Sequence, residues 1–173
     1  MKEIEVKILN INPNEITKKL HSISAKKLFE GTIHSYYYDY KDESLRDKGI
    51  RFRLRDYGDK VVLTLKEKQD DKVYQVCNEH EIHVSNKEET EEIIKKLGLE
   101  LVRKETRKRT SYKLENAIVE IDEYEDIPPL LEIESTSKDE IQKLIAFFGY
   151  KPEDAKPWSG AKVKKWYEKQ KKK

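Results

Sequence analysis

Charged and apolar residues alternate with a period of two along most of the chain. At the start, Glu3, Glu5 and Lys7 alternate with Ile4, Val6 and Ile8. That period is strand geometry, with successive side chains on opposite faces. The same signal predicts eight strands: Lys2–Asn10, Lys26–Tyr40, Ile50–Tyr57, Lys60–Lys68, Val73–Val84, Glu100–Leu114, Ala117–Glu123 and Leu130–Ser135. Tyr57-Gly58-Asp59-Lys60 and Glu115-Asn116 read as hairpin turns. Helical periodicity interrupts the strands. A first helix follows Asn12-Pro13, a cap and a first-turn proline, and gathers Ile16, Leu20 and Ile23 on one face. A second opens on the capping-box pattern Ser85-Asn86-Lys87-Glu88, stops before Gly98, and carries Ile93, Ile94 and Leu97. A third runs from Ser137 to Phe148, before Gly149, with Ile141, Leu144, Ile145 and Phe148 on its apolar face. A basic helix begins near Gly160 and holds Val163, Trp166 and Tyr167. Each half reads strand, helix, then a run of strands, although the halves do not align residue by residue.

The charges on these strands are segregated by sign. Arg51, Arg53 and Arg55 share one face of one strand, and Arg107 and Arg109 share another. Glu79 with Glu81, Glu120 with Asp122, and Glu132 with Glu134 form acidic pairs. A solvated face ordinarily mixes signs. If Ile4, Val6, Phe52, Leu54, Ile82, Val119, Ile121, Leu131 and Ile133 lie under helices, the charged positions face inward together. The fold class this predicts is α+β: an eight-stranded antiparallel β-barrel with helices packed outside, in one domain over residues 1–173.

Composition narrows the function. Lys and Arg number 36 against 34 Asp and Glu, so the net charge of +2 argues against a general nucleic-acid or membrane-surface binder. The tail Lys169–Lys173 reads as a frayed, solvated end. One cysteine, Cys77, excludes an internal disulfide and fits a reducing compartment. No apolar run reaches membrane-spanning length and the start lacks a signal-peptide pattern, so the expected location is cytoplasmic.

In order along the chain, these residues resemble the CYTH superfamily, the triphosphate tunnel metalloenzymes. Glu3, Glu5 and Lys7 match its N-terminal Glu-x-Glu-x-Lys strand. Arg51 and Arg53 match an Arg-x-Arg strand, and Lys66 matches a Lys on the next hairpin strand. Glu79 and Glu81 match a Glu-x-Glu strand. Arg107, Arg109 and Tyr112 match a basic segment, Glu120 and Asp122 an acidic strand, and Glu132 and Glu134 a late Leu-Glu-Ile-Glu segment. Lys156 and Trp158 match a Lys before an aromatic near the C-terminus. The resemblance implies an eight-stranded tunnel that binds a triphosphate with divalent metal ions, in a family of tripolyphosphatases, thiamine triphosphatases and class IV adenylyl cyclases. Three departures stand out. Arg107 replaces a common Lys, Cys77 sits where relatives often carry Arg, and the His-Phe element found upstream in some cyclases is missing, which weighs against a cyclase without excluding one.

The resemblance assigns Lys7, Arg51, Arg53, Lys66, Arg107, Arg109 and Lys156 to phosphate binding. Guanidinium forks and ammonium groups neutralise phosphate oxygens from several directions. Arg55 extends the set. Glu3, Glu5, Asp122, Glu132 and Glu134 are the expected metal ligands. An all-oxygen set suits Mg²⁺ or Mn²⁺, and no Cys/His spacing supports zinc. Glu79, Glu81 and Glu120 are supporting positions, and Lys7, Glu5 and Glu134 are assigned to the catalytic step. The expected partner is a triphosphate small molecule: tripolyphosphate, ATP or thiamine triphosphate. No nucleic acid or membrane is expected, and a long exposed second strand could support a homodimer. Attack by water would make the protein a triphosphatase, attack by a ribose 3′-hydroxyl a cyclase, and no turnover a binding module. There is no P-loop pattern. Cys77 reads as a small strand residue without an activating base. His21, His34, His80 and His83 form no metal pattern. Tyr36, Tyr37, Tyr38 and Tyr40 read as strand packing, with a mouth residue stacking on a base or covering the tunnel as the alternative. Trp158, Trp166 and Tyr167 are expected to dock the C-terminal segment.

Overall fold

The first strand, β1 (Lys2–Leu9), keeps the alternation predicted for it, yet both of its faces are buried from Glu3 to Ile8. It is followed by α1 (Pro13–Ser22), β2 (Lys26–Asp39), α2 (Ser44–Asp47), β3 (Ile50–Asp56), β4 (Val61–Gln69) and β5 (Gln75–Val84). Then come α3 (Lys87–Lys96), β6 (Glu100–Leu114), β7 (Ala117–Glu123), β8 (Leu130–Ser135), α4 (Lys138–Phe147), a 3-10 turn at Pro152–Asp154, β9 (Ala155–Lys156) and α5 (Gly160–Lys171). This computed structural model describes residues 2–171; of the expected frayed tail, Lys172 and Lys173 lie outside the described residues. Lys169 and Lys171 themselves belong to α5.

The strands form one nine-stranded sheet in the order β5-β4-β3-β2-β6-β7-β8-β1-β9, and β5 also pairs with β1. This corrects the expected eight-stranded barrel. The added strand, β9, is antiparallel to β1, with Lys7 opposite Lys156 and Ile8 opposite Ala155. Two residues are too few to display a period of two. More generally, alternation reports which side chains share a face and carries no information on how the end strands pair.

The chain divides into two compact units. One takes in Gly31–Gln69 and Cys77–Arg107; the other takes in Glu3–Glu30, Asp70–Val76 and the chain from Lys108 onward. In the second unit, Ile4, Val6 and Ile8 of β1, Val119 and Ile121 of β7, and Leu131 and Ile133 of β8 pack with Ile16 and Leu20 of α1 and Ile141, Leu144 and Ile145 of α4. Burying such side chains is worth roughly 1.5–3 kcal/mol each before entropy is counted. Val163 of α5 packs with Ile127 and Leu130, beside Trp158 and Tyr167, so two of the three C-terminal aromatics dock as expected, while Trp166 is exposed. In the first unit, Tyr38, Leu54, Ile94 and Leu99 form a smaller core.

Local chemistry accounts for the helix ends. Asn12 Oδ1 accepts from Asn14 N at 3.1 Å, and Ser137 caps α4 through Glu140 N. The cap of α3 is Asn86, which accepts from Glu89 N at 2.9 Å, one residue beyond the expected Ser85. Gly98 and Gly149 end α3 and α4 with φ of +86° and +84°, where a side chain would be strained. Two expectations about the apolar faces fail. Ile82 is exposed, and on α3 only Ile94 is buried while Ile93 and Leu97 face solvent. Among the described residues no helix is long and apolar enough to cross a membrane.

Candidate functional site

In the second unit, antiparallel register gathers the acidic motifs onto one face. Directly opposed residues of neighbouring strands share a face. Arg109 lies opposite Asp122 and Ser111 opposite Glu120 between β6 and β7. Glu120 lies opposite Glu132 between β7 and β8. Between β8 and β1, Glu132 meets Lys7 and Glu134 meets Glu5. Four segments distant in sequence thus supply one continuous charged face, on which Glu3, Glu5, Lys7, Arg109, Glu120, Asp122 and Glu132 are all buried.

Two cations organise it. The Lys7 ammonium pairs with the Glu5 carboxylate and lies 3.0 Å from Glu132 Oε2. Burial pulls the Lys7 pKa down, but Glu132 and Glu5 outweigh it and hold it well above the ordinary lysine value. Arg109 holds Asp122 in a bidentate fork, pairs with Glu120, and reaches Glu132 Oε2 at 3.6 Å. Burial again opposes the charge, and Asp122, Glu120 and Glu132 together hold the guanidinium firmly protonated. Ser111 Oγ donates to Glu120 Oε1 at 2.8 Å. Arg109, read as a phosphate ligand in the sequence, is therefore embedded among carboxylates.

The first unit carries the opposite balance. Tyr37 of β2 lies opposite Arg53 of β3. Arg51 lies opposite Lys66, and Arg53 opposite Thr64. Arg53, Arg55, Lys66 and Arg107 are buried. Glu79 of β5 accepts Lys66 Nζ at 2.7 Å and lies 3.6 Å from Arg53 Nη2. Glu81 is exposed and accepts from Thr64 Oγ1 at 3.2 Å. Glu79 and Glu81 are thus counter-ions and acceptors within the basic face. Arg55 Nη1 donates to the Tyr57 hydroxyl at 3.0 Å. Arg53 Nε has no hydrogen-bond partner among the described residues, although the side chain is buried. An unmade bond of this kind is costly unless a ligand supplies the acceptor.

One predicted phosphate ligand is turned aside. Lys156 faces the same side of the sheet as Lys7 by register, but its ammonium donates to the Glu153 carbonyl at 2.5 Å. Two residues missed in the sequence, Arg103 and Glu105, join the basic face. Buried Glu105 accepts from Arg107 Nη1 at 3.2 Å and from Arg103 Nη1 at 3.3 Å. The Arg103 guanidinium in turn lies 3.8 Å from the centroid of the Tyr37 ring. The period-two spacing of Arg103, Glu105 and Arg107 was the available signal.

Among the described residues no group of three or more His, Cys, Asp or Glu side chains is arranged to hold a metal ion. The donor chemistry of the acidic face nonetheless fits a hard cation: it offers carboxylate oxygens without thiol or imidazole.

Residues 1–150 match the family model of the CYTH domain, and the chain belongs to the CYTH family. A protein of Methanocaldococcus jannaschii, by name a candidate adenylate cyclase, is 27% identical over 139 residues, which cover 80% of this chain and 79% of that one. The PH1012 protein of Pyrococcus horikoshii superposes with a TM-score of 0.76 at 25% identity, covering 91% of this chain and 96% of its own. The Hippeastrum protein HpAC1, a candidate adenylyl cyclase with a dominant triphosphatase activity, superposes with a TM-score of 0.68 at 18% identity, covering 94% of this chain and 95% of its own.

Proposed function

We propose that this protein is a divalent-metal-dependent enzyme that binds a triphosphate and hydrolyses a phosphoanhydride bond, with tripolyphosphate or a nucleoside triphosphate as substrate. The observation that carries the reading is the separation of charge. Arg51, Arg53, Arg55, Lys66 and Arg107 occupy one face. Glu3, Glu5, Glu120, Asp122, Glu132 and Glu134 occupy another. A polyanion needs the first kind of surface. Anion binding alone gains nothing from the second, so the carboxylates count against a binding module without turnover.

In this reading the guanidinium and ammonium groups of the basic face bind and orient the phosphate chain and stabilise charge that develops on its oxygens. Arg53 Nε supplies a donor without a protein acceptor among the described residues. Glu3, Glu5, Glu132 and Glu134, with Asp122, would hold Mg²⁺ or Mn²⁺. When bound, the metal supplies charge neutralisation on phosphate oxygens and an activated water. Lys7 and Arg109 pair with these carboxylates, balance their charge and set their spacing when the metal is absent.

The second reading is a class IV adenylyl cyclase, favoured by the name of the Methanocaldococcus jannaschii relative. The same residues serve it, because the two reactions differ in which phosphorus meets which nucleophile. Incubation with tripolyphosphate, ATP and thiamine triphosphate, each with Mg²⁺ or Mn²⁺, separates them. Orthophosphate release supports the triphosphatase. Cyclic AMP with pyrophosphate overturns it in favour of the cyclase.

A further inference from the structure

Tyr37 belongs to no motif that assigns it a role, yet it stands within the basic face. It is buried, with 7% of its surface exposed, and lies directly opposite Arg53 across the β2–β3 pair. The Arg103 guanidinium stacks on its ring at 3.8 Å, and Glu105 holds Arg103 while also holding Arg107. A cation over an aromatic face is attracted by the ring quadrupole and fixes the orientation of both groups. The neighbouring Arg53 Nε lacks an acceptor among the described residues. A buried phenol and an unmet guanidinium N–H thus stand directly opposite each other on adjacent strands.

We infer that Tyr37 is a further anion-binding residue of the basic face: its hydroxyl donates to a phosphate oxygen of the bound triphosphate beside Arg53, with Arg103 and Glu105 as its positioning residues. The inference rests on the triphosphate reading above and names a donor that the family motif does not contain. A phenol suits the position because it adds a donor without adding a further positive charge to a face already rich in them.

The ionisation of Tyr37 gives a signature of this contact. Burial and Glu105 raise the phenol pKa, but Arg53, Arg107 and Arg103 outweigh them and hold it below the ordinary value of 10.0. The other charged groups of this face, Lys66 and Glu79, pair with each other, and Glu79 also lies near Arg53. A protonated hydroxyl donates to phosphate, whereas the phenolate repels it.

The test is calorimetric titration of the full chain with inorganic tripolyphosphate, without metal, for wild type and Tyr37→Phe across a pH series. Near neutral pH the variant should bind about 10-fold more weakly, the size expected for one hydrogen bond to a charged acceptor, with an unchanged thermal midpoint. That wild-type advantage should disappear as pH rises and the phenol ionises, a change that a packing role for the ring would not produce. Phe retains the ring and its stack with Arg103. As a second measurement, tripolyphosphate should perturb the tyrosine ultraviolet spectrum of wild type, and the perturbation should be absent from the variant. Equal binding by the two proteins, or an advantage that does not change with pH, overturns the role of Tyr37 while the triphosphate reading stands. No binding by wild type overturns both.

Discussion

Arg109 and Asp122 are directly opposed on β6 and β7 and share a two-pronged ion pair, with Nε to Oδ1 at 2.5 Å and Nη2 to Oδ2 at 2.6 Å. Both side chains are almost wholly buried. The fork is the hub of the acidic face, because the same guanidinium also pairs with Glu120 and approaches Glu132.

Removing one member of a buried pair leaves the other desolvated and uncompensated. Asp122→Asn should therefore destabilise the protein by about 3 kcal/mol, the low end for a broken buried pair, because Glu120 and Glu132 remain. Urea unfolding checks this: the midpoint should fall with little change in the slope.

Lys7 provides a protonation test. Its folded-state pKa is raised, so the stability it contributes is fully present below the ordinary lysine value, about 10.4. That stability is lost only as pH rises through the higher folded value. At pH 11, nuclear magnetic resonance of the side-chain nitrogen should find Lys7 still charged when exposed lysines are largely neutral.

Asp71 behaves in the opposite sense. Lys138 at 2.8 Å and the backbone N–H groups of Tyr74 and Val73 lower its pKa to about 2. A depressed carboxyl contributes stability above its unfolded value, near 3.8, and loses it as pH falls through the folded one. The stability difference between wild type and Asp71→Asn should be constant above about pH 5 and shrink as pH is lowered toward 2. Denaturant titrations at successive pH values measure it.

For the basic face, Arg53→Ala removes a buried guanidinium whose Nε has no acceptor among the described residues. Tripolyphosphate affinity, read by calorimetry, should fall by roughly 10- to 100-fold, the scale of one or two charge-assisted hydrogen bonds. Unchanged affinity would place Arg53 outside the binding surface.

Much of this was legible in the sequence because it depends on local periodicity. Glu3, Glu5 and Lys7 share a face by virtue of a period of two, and Asn12-Pro13 marks a helix start by side-chain chemistry alone. What could not be read depends on register. Nothing near Lys7 in sequence announces Glu132, and nothing near Tyr37 announces Arg53 or Arg103. Glu105 sits two residues from both Arg103 and Arg107, and that spacing alone does not announce that it accepts from both. The two-residue β9 and the four-residue α2 are too short to carry a period. Helix α2 is instead held by two carboxylates: Asp39 accepts the backbone N–H groups of Tyr40, Leu45 and Arg46, and Asp42 accepts that of Ser44. Lys156 was read from the family resemblance and not from a strand signal, and a nearby carbonyl holds its ammonium.

The central claim is a division of labour: the basic face binds the triphosphate and the carboxylate face supports its metal-dependent cleavage. Glu132→Gln tests it most directly, because Glu132 meets both Lys7 and Arg109. Tripolyphosphate binding without metal and its turnover with Mn²⁺ would be measured on the same preparation. The account predicts affinity within about 3-fold of wild type and turnover reduced by roughly 100-fold or more. Turnover near the wild-type rate would contradict it.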